Sequence, residues 1–225
     1  MTGNDVKWFQ SAINYLIIKG DRYGNKLSTS KLTVNGSYNS ASKTACIAFQ
    51  KKYGLDADGV FGPNSRTRMK YILNLMPPVA EYLEGLSGTE SKEWGSSAGT
   101  QCVELPKYYM ENYFGLANRY VTTGNGNQMY YMVPQVFPNE FKQINYSKGM
   151  KFYPGDILSL TSGSKYGHAV IVYKVEGNTL TCIEQYSTTA KIISFTFTIT
   201  DTNNGYTNHR TYKQVLGVAR HKDLK

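Results

Sequence analysis

A ten-residue pattern occurs twice near the start of the chain, and this repeat constrains the fold more than any other feature of the sequence. Residues 35–44, NGSYNSASKT, align with residues 58–67, DGVFGPNSRT, at an offset of 23 residues. Asn-Gly and Asp-Gly supply the positive φ of a tight turn, and the Ser and Asn residues that follow can cap a helix. Each copy therefore predicts a turn that leads into an amphipathic helix.

Apolar residues recur at helical spacing before the first copy and after each copy. Pro77 and Pro78 end the third of these segments, because proline cannot continue a helix. The sequence thus predicts three helices around one small core within residues 1–76. The apolar positions are Val6, Phe9, Ile13, Leu16 and Ile17, then Ala45, Ala48 and Phe49, then Met69, Ile72 and Leu73.

The same segments resemble the peptidoglycan-binding type 1 domain, a three-helix module that is found attached to cell-wall hydrolases. The resemblance is most specific in residues 48–67, AFQKKYGLDADGVFGPNSRT. It implies that this part of the chain binds bacterial peptidoglycan, with Tyr38, Phe61 and Asp58 as candidate wall-binding residues. These residue types can also serve only to build the turns and the core, so both interpretations stay open.

Net charge is unevenly distributed along the chain. The full chain carries +9, and residues 1–75 hold 11 Lys and Arg against 4 Asp and Glu. Such an excess suits an anionic partner, and nucleic acid, cell wall and membrane surface all qualify. Because a glycan-binding module accounts for the basic end, we expect bacterial peptidoglycan as the partner and no nucleic acid. The sequence has no run of 18 apolar residues, so we also expect no membrane insertion.

Three cysteines cannot all pair, so at least one thiol is free. Cys102 precedes an apolar helical pattern, and the N–H groups and dipole at a helix start favour the thiolate, which is the nucleophilic form. Pro106 should either make this helix start later or kink it. Cys46 and Cys182 are interpreted as buried apolar residues.

A cysteine nucleophile needs a base within hydrogen-bonding reach, and His168 is the candidate. It lies at the entrance of a β-branched strand, whereas the other two histidines have polar neighbours typical of solvated surface. If residues 176–178 form a three-residue loop, Glu184 lies on the same face as His168 as its diagonal neighbour. A two-residue loop would place the two side chains on opposite faces, so this pairing depends on register.

Four segments, in order, resemble the CHAP family, the cysteine, histidine-dependent amidohydrolases/peptidases, which have a papain-like fold. The resemblance covers roughly residues 80–225 and implies helices packed on an antiparallel sheet. The segments are Gly99-Thr100-Gln101-Cys102, Pro154-Gly155-Asp156-Ile157, Gly167-His168-Ala169-Val170 and Ile183-Glu184-Gln185.

The resemblance implies a role for each site residue. Cys102 is the nucleophile, His168 the base and Glu184 the group that orients His168, while Gln101 and the Cys102 backbone N–H stabilise the oxyanion. Tyr186 departs from the family, many members of which carry Asn there.

Some members of the family bind calcium through an acidic cluster just before the cysteine. Here that stretch offers only Glu90 and Glu93, with Glu104 after the cysteine. We therefore expect no cofactor: calcium is possible but unsupported, and the metal content is unknown.

The expected protein is α+β, with a peptidoglycan-binding domain at 1–76, a linker and entry helix at 77–98 and a CHAP catalytic domain at 78–225. Its expected function is peptidoglycan hydrolysis at an amide bond of the wall peptide, as an amidase or an endopeptidase. A start at Met1 without a signal peptide resembles phage endolysins, which are made in the host cytoplasm and released to act on the wall. The alternatives are a host autolysin and a non-catalytic wall-binding protein with a degenerate CHAP module.

Overall fold

The computed structural model describes residues 3–93, 101–116, 124–186 and 189–224. Its contacts divide the chain into two compact units. The first holds Met1–Met76 with Met110–Ala117, and the second holds Pro77–Tyr109 with Asn118–Lys225. An N-terminal helical module and a C-terminal antiparallel β domain confirm the predicted α+β class. Residues 94–98 of the expected linker, and Gly99-Thr100 of the expected cysteine motif, lie outside the described residues.

Three helices form the N-terminal module where the repeat predicts them. The first copy places Asn39 at a helix N-cap, where its side chain accepts the backbone N–H of Ser42. Gly36 and Gly59 have positive φ angles of 79° and 72°, as the two tight turns require. The helices are α1 Gly3–Ile18, α2 Ser40–Lys52 and α3 Pro63–Ile72.

One buried glutamine fixes the turn of the second copy. Gln50 is 2 % exposed, and its Oε1 accepts the Gly59 backbone N–H at 2.9 Å. Its Nε2 donates to Asp58 Oδ1 at 2.8 Å, to the Val60 carbonyl at 3.0 Å and to Ser65 Oγ at 3.1 Å. A single side chain thus hydrogen-bonds to residues on both sides of the Asp58-Gly59 turn and to Ser65 in the first turn of α3.

Gln10 makes the same set of contacts in the first copy. Its Oε1 accepts the backbone N–H groups of Asn35 and Gly36, both at 3.0 Å. Its Nε2 donates to Asn35 Oδ1, to the Ser37 carbonyl and to Ser42 Oγ at 3.2, 3.0 and 3.4 Å. The repeat in the sequence is therefore a repeat of one hydrogen-bonding device, in which a helix glutamine holds an Asx-Gly turn.

The helices after residue 76 are short. α5 begins at Glu104, two residues after Cys102, and Pro106 lies in its first turn, where a missing N–H breaks no helix hydrogen bond. This confirms the later helix start. The helices are α4 Val79–Glu84, α5 Glu104–Phe114 and α6 Met129–Val136, with a 3₁₀ turn at Gly126–Gln128 before α6.

Seven antiparallel strands form one sheet in the order β1-β7-β2-β3-β4-β5-β6. Tyr206 of β6 also pairs with Gln214 of β7, so the sheet curls back on itself. Apolar side chains of five strands, including Leu158, Val172 and Leu180, fill the enclosed core. The strands are β1 Phe141–Asn145, β2 Ile157–Thr161, β3 His168–Glu176, β4 Thr179–Glu184, β5 Ile193–Asp201, β6 Tyr206–Thr207 and β7 Gln214–His221.

The β3–β4 hairpin decides whether the candidate base and acid share a face. A three-residue loop is wrong, because Glu176 pairs with Thr179 and leaves only two residues in the turn. A bulge at Tyr173 then adds one residue to β3. Beyond it, Val172 pairs with Cys182, which is the register that the three-residue loop would have produced. The two-residue loop is therefore correct at the turn, and the register expected from the three-residue loop is correct beyond the bulge.

Gln50→Ala should lower the free energy of unfolding by about 2 kcal/mol, because it leaves the buried Gly59 N–H without an acceptor. The matched control is Lys51→Ala at the neighbouring exposed position of α2, which should change stability by less than about 0.5 kcal/mol. Urea denaturation followed by circular dichroism measures both. Equal stability of the two variants would contradict a structural role for the glutamine.

Candidate active site

His168 and Glu184 form a buried pair at adjacent strand ends. His168 begins β3 and Glu184 ends β4, and the bulge at Tyr173 brings their side chains to one face. The Nε2 atom of His168 lies 2.7 Å from Oε2 of Glu184, with the two residues 5 % and 3 % exposed. A carboxylate at this distance fixes the orientation of the imidazole and stabilises its protonated form.

Cys102 meets the same imidazole from the start of α5. Its thiol is partly exposed and shares a side-chain hydrogen bond with His168. Because Nε2 of His168 is engaged by Glu184, Nδ1 is the nitrogen that faces the thiol. The structure therefore brings the three predicted residues together in the order cysteine, histidine, glutamate.

Two opposing effects set the pKa of His168. Burial lowers the pKa, but the hydrogen bonds to Cys102 and Glu184 and the negative charges of both outweigh burial and raise the pKa from 6.5 to about 9. The raised pKa means that protonation of His168 stabilises the folded state fully below about pH 6.5, and this contribution is lost as pH rises through about 9. At neutral pH the imidazole is thus protonated, so a cation lies beside the Cys102 sulfur.

Gln101 is held through its backbone. Its carbonyl accepts the Glu104 N–H at 3.1 Å and the Gln185 side-chain amide at 3.2 Å. Gln185 is fully buried and also donates to the Lys92 carbonyl at 2.7 Å. Sequence reasoning did not assign this anchor. The oxyanion-stabilising role of Gln101 and the Cys102 N–H stays a prediction.

Two tyrosines complete the surroundings of Glu184. Tyr186, the departure from the family pattern, shares a side-chain hydrogen bond with Glu184, and its ring lies edge-on to His168 at 5.8 Å. Tyr212 donates its hydroxyl to Glu184 Oε2 at 2.8 Å and stacks on the His168 ring. Burial first, and then the charge of Glu184, raise the pKa of Tyr212, so its hydroxyl stays a donor. No spacing in the sequence pointed to Tyr212, which lies 28 residues after Glu184.

The remaining cysteines and histidines fall into two groups. Cys46 and Cys182 are free and fully buried, as predicted. The expectation that His221 lies at the solvated surface is wrong. It is fully buried at the end of β7, and its Nε2 lies 3.2 Å from Glu140 Oε2. His209 is half-buried and stacks on Tyr212.

The three candidate wall-binding residues have different surroundings. Phe61 is 3 % exposed and packs on Phe9 at 4.6 Å, and the half-buried Tyr38 donates its hydroxyl to the Gly59 carbonyl at 2.8 Å. Asp58 is exposed, and hydrogen bonds from the Val60 N–H and then from the α2 glutamine hold its pKa below the ordinary value. These contacts give all three a structural role, and their wall-binding role stays a prediction.

Asp58 also lines a cleft of about 330 Å³ in the helical module, together with Asp56 and Asn64. Neither Tyr38 nor Phe61 contributes to the lining of this cleft. Of the three candidates, Asp58 is therefore the one that lines this cleft.

Within residues 3–93, 101–116, 124–186 and 189–224, no three His, Cys, Asp or Glu residues are grouped so that they could hold a metal ion. Over the same ranges, every helix is too short or too polar to cross a bilayer.

The protein consists of a helical module and an antiparallel β domain. The β domain brings a cysteine to a histidine–glutamate pair and so forms a thiol–imidazole site. Comparison with known families gives the same division. Residues 91–186 match the family described as "CHAP domain", and residues 2–69 match the family described as "Putative peptidoglycan binding domain". The chain therefore combines a CHAP domain with an N-terminal peptidoglycan-binding domain.

Two solved structures are similar to the chain at low identity. One is "The crystal structure of Ly7917 with the hydrolyzing product of MDP", at 18 % identity and a TM-score of 0.43, covering 64 % of this chain and 61 % of that chain. The other, "The crystal structure of Ly7917", has 19 % identity and a TM-score of 0.39, covering 64 % and 63 %. The match thus spans less than two thirds of either. No curated protein sequence matches the chain.

The imidazole of His168 should titrate with a midpoint near pH 9, well above the 6.5 of an isolated histidine. Cys102→Ala should lower this midpoint, because it removes one hydrogen bond and one negative charge while burial remains. Histidine ring resonances followed by NMR across the pH range measure both midpoints. A wild-type midpoint near 6.5 would contradict the arrangement.

Proposed function

We propose that the protein is a cysteine-dependent peptidoglycan hydrolase that cleaves an amide bond in the peptide part of the bacterial cell wall. The observation that carries this proposal is the buried His168–Glu184 pair with Cys102 hydrogen-bonded to the same imidazole. The CHAP match of residues 91–186 contains all three residues. An activated thiol beside an oriented imidazole suits acyl transfer.

The reaction begins with the thiolate of Cys102 and the imidazolium of His168. The sulfur attacks the amide carbonyl, and donors at residues 101–102 hold the oxyanion of the tetrahedral intermediate. His168 gives its proton to the leaving amine as the C–N bond breaks, which leaves an acyl-enzyme thioester. His168 then takes a proton from water, which attacks the thioester and releases the carboxylic acid and the thiolate.

The helical module supports the choice of substrate. Residues 2–69 match a peptidoglycan-binding family, and the first 75 residues carry the basic excess that suits an anionic wall. The amidase and endopeptidase forms of the reaction use the same chemistry, because both break an amide bond. An origin as a phage endolysin that is made in a host cytoplasm and released to the wall stays a prediction.

Cys102→Ala and Cys102→Ser should abolish the lysis of purified walls and leave wall binding intact, because binding belongs to the other module. The control is Cys46→Ala, which removes a buried thiol of the helical module. Loss of turbidity measures lysis, and co-sedimentation with walls measures binding. Full lysis by either Cys102 variant would rule out Cys102 as the nucleophile.

The alternative is a wall-binding protein with a degenerate catalytic module, and Tyr186 in place of the family's Asn favours it. Alkylation by iodoacetamide near neutral pH separates the two functions. Rapid alkylation that is lost in Cys102→Ala supports the proposed hydrolase function. An inert Cys102 in a protein that binds walls without lysing them supports the alternative.

A further inference from the structure

Three aromatic rings form a column that begins at the candidate base. The ring of Tyr212 lies on that of His168 with centroids 4.5 Å apart and planes 4° apart. His209 stacks on the other face of Tyr212 at 4.6 Å and 12°. The imidazole of His168 is thus pressed flat against a tyrosine ring that is itself backed by a second imidazole.

Tyr212 contacts the acid as well as the base. Its hydroxyl donates to Oε2 of Glu184 at 2.8 Å, and this is the oxygen that lies 2.7 Å from Nε2 of His168. The tyrosine therefore constrains two things at once: the plane of the imidazole and the position of the oxygen to which the imidazole donates. With Nε2 held in this way, the direction of Nδ1 toward Cys102 is also fixed.

Tyr212 is also held by contacts outside the site. The residue is 6 % exposed, and its backbone N–H donates to His209 Nδ1 at 3.1 Å. Its carbonyl accepts the Thr207 hydroxyl, and the Phe195 ring packs on it at 5.6 Å. A ring that is held by its own loop and by β5 can serve as a preorganised surface for the imidazole.

We propose that Tyr212 is a positioning residue, which holds the His168 ring and the Glu184 carboxylate in the geometry that pairs Nδ1 with the Cys102 thiol. The proposal rests on the proposed function for its consequence in catalysis, but the thiol–imidazole pairing can be measured without any substrate. Tyr212 acts through the two residues that it contacts, the His168 ring and the Glu184 carboxylate.

The test compares Tyr212→Phe, Glu184→Ala and the double variant. Tyr212→Phe keeps the stacked ring and removes only the hydroxyl, so the loss isolates the bond to Glu184. A buried hydrogen bond to a charged group is typically worth about 1.5–3 kcal/mol. In Tyr212→Phe, the rates of Cys102 alkylation and of wall hydrolysis should therefore fall about ten- to a hundredfold. If Tyr212 acts through Glu184, the hydroxyl should have no further effect once Glu184 is replaced.

Two rates are measured for each variant: alkylation of Cys102 by iodoacetamide near neutral pH, and release of new amines from purified walls. Cys102→Ala gives the background of alkylation, since Cys46 and Cys182 are fully buried. The matched control is Tyr206→Phe, which removes a hydroxyl from a tyrosine that is 47 % exposed, outside the site, and should leave both rates unchanged.

His209→Ala provides a second variant at a half-buried position, in case Tyr212→Phe does not fold. It removes the outer ring and the acceptor of the Tyr212 backbone N–H, and should slow alkylation severalfold. The proposal is overturned if neither variant slows alkylation, or if Tyr212→Phe slows it by the same factor with and without Glu184.

Failure of the proposed function gives a different result. A wild-type protein whose alkylation depends on Tyr212 and Glu184, but which releases no amine from walls, keeps the positioning role and loses the proposed function. A wild-type protein that hydrolyses walls, with Tyr212→Phe equal to it in both rates, loses the positioning role alone.

Discussion

The candidate site depends on one hydrogen bond, that between Nε2 of His168 and Oε2 of Glu184 at 2.7 Å. It joins two neighbouring strands inside a nearly dry environment, where a charged hydrogen bond is strong and where an unpaired charge would be costly. Burial alone would keep the imidazole neutral, so the carboxylate and the thiol together decide that it is protonated at neutral pH. The Cys102 sulfur is then set opposite a cation by the fold itself.

A one-residue bulge makes this bond possible. The tight turn at Gly177-Asn178 gives a register in which His168 and Glu184 face opposite sides of the sheet, and the extra residue at Tyr173 reverses that outcome over the last part of the hairpin. The sheet can thus combine a compact two-residue turn with the side-chain placement of a longer loop. In the helical module, the turns are stabilised differently: Gln10 and Gln50 each hydrogen-bond to an Asx-Gly turn from a neighbouring helix.

Local patterns in the sequence predict the local parts of this structure well. The turn–helix repeat, the start of α5 just after Cys102 and the burial of Cys46 and Cys182 all follow from spacing and residue type. Pairing across the β3–β4 hairpin was open, because a bulge leaves no distinctive mark in a run of β-branched residues. His221 was misjudged because its polar neighbours concealed a strand buried against β1.

The role of Tyr212 could not be predicted from local patterns in the sequence. Its contacts with His168 and Glu184 arise because the loop between β6 and β7 folds back over strands β3 and β4, and no short spacing encodes that approach. The same holds for Gln185, whose side-chain amide donates to the carbonyl of Gln101 and to that of Lys92, which lies 93 residues before Gln185. Tyr212 lies outside the segments that predict the site, whereas Gln185 lies in one of them and was assigned no role there.

Mass spectrometry of purified peptidoglycan digested in ¹⁸O-labelled water tests the central claim most directly, because it reports both the bond and the chemistry. Hydrolysis of an acyl-enzyme on Cys102 predicts that each cleavage gives one new amine and one new carboxylate, with one ¹⁸O atom in each new carboxylate. Digestion with Cys102→Ala should give no such fragments. New reducing sugar ends without new amines, or the same fragments from the Cys102→Ala protein, would contradict the account.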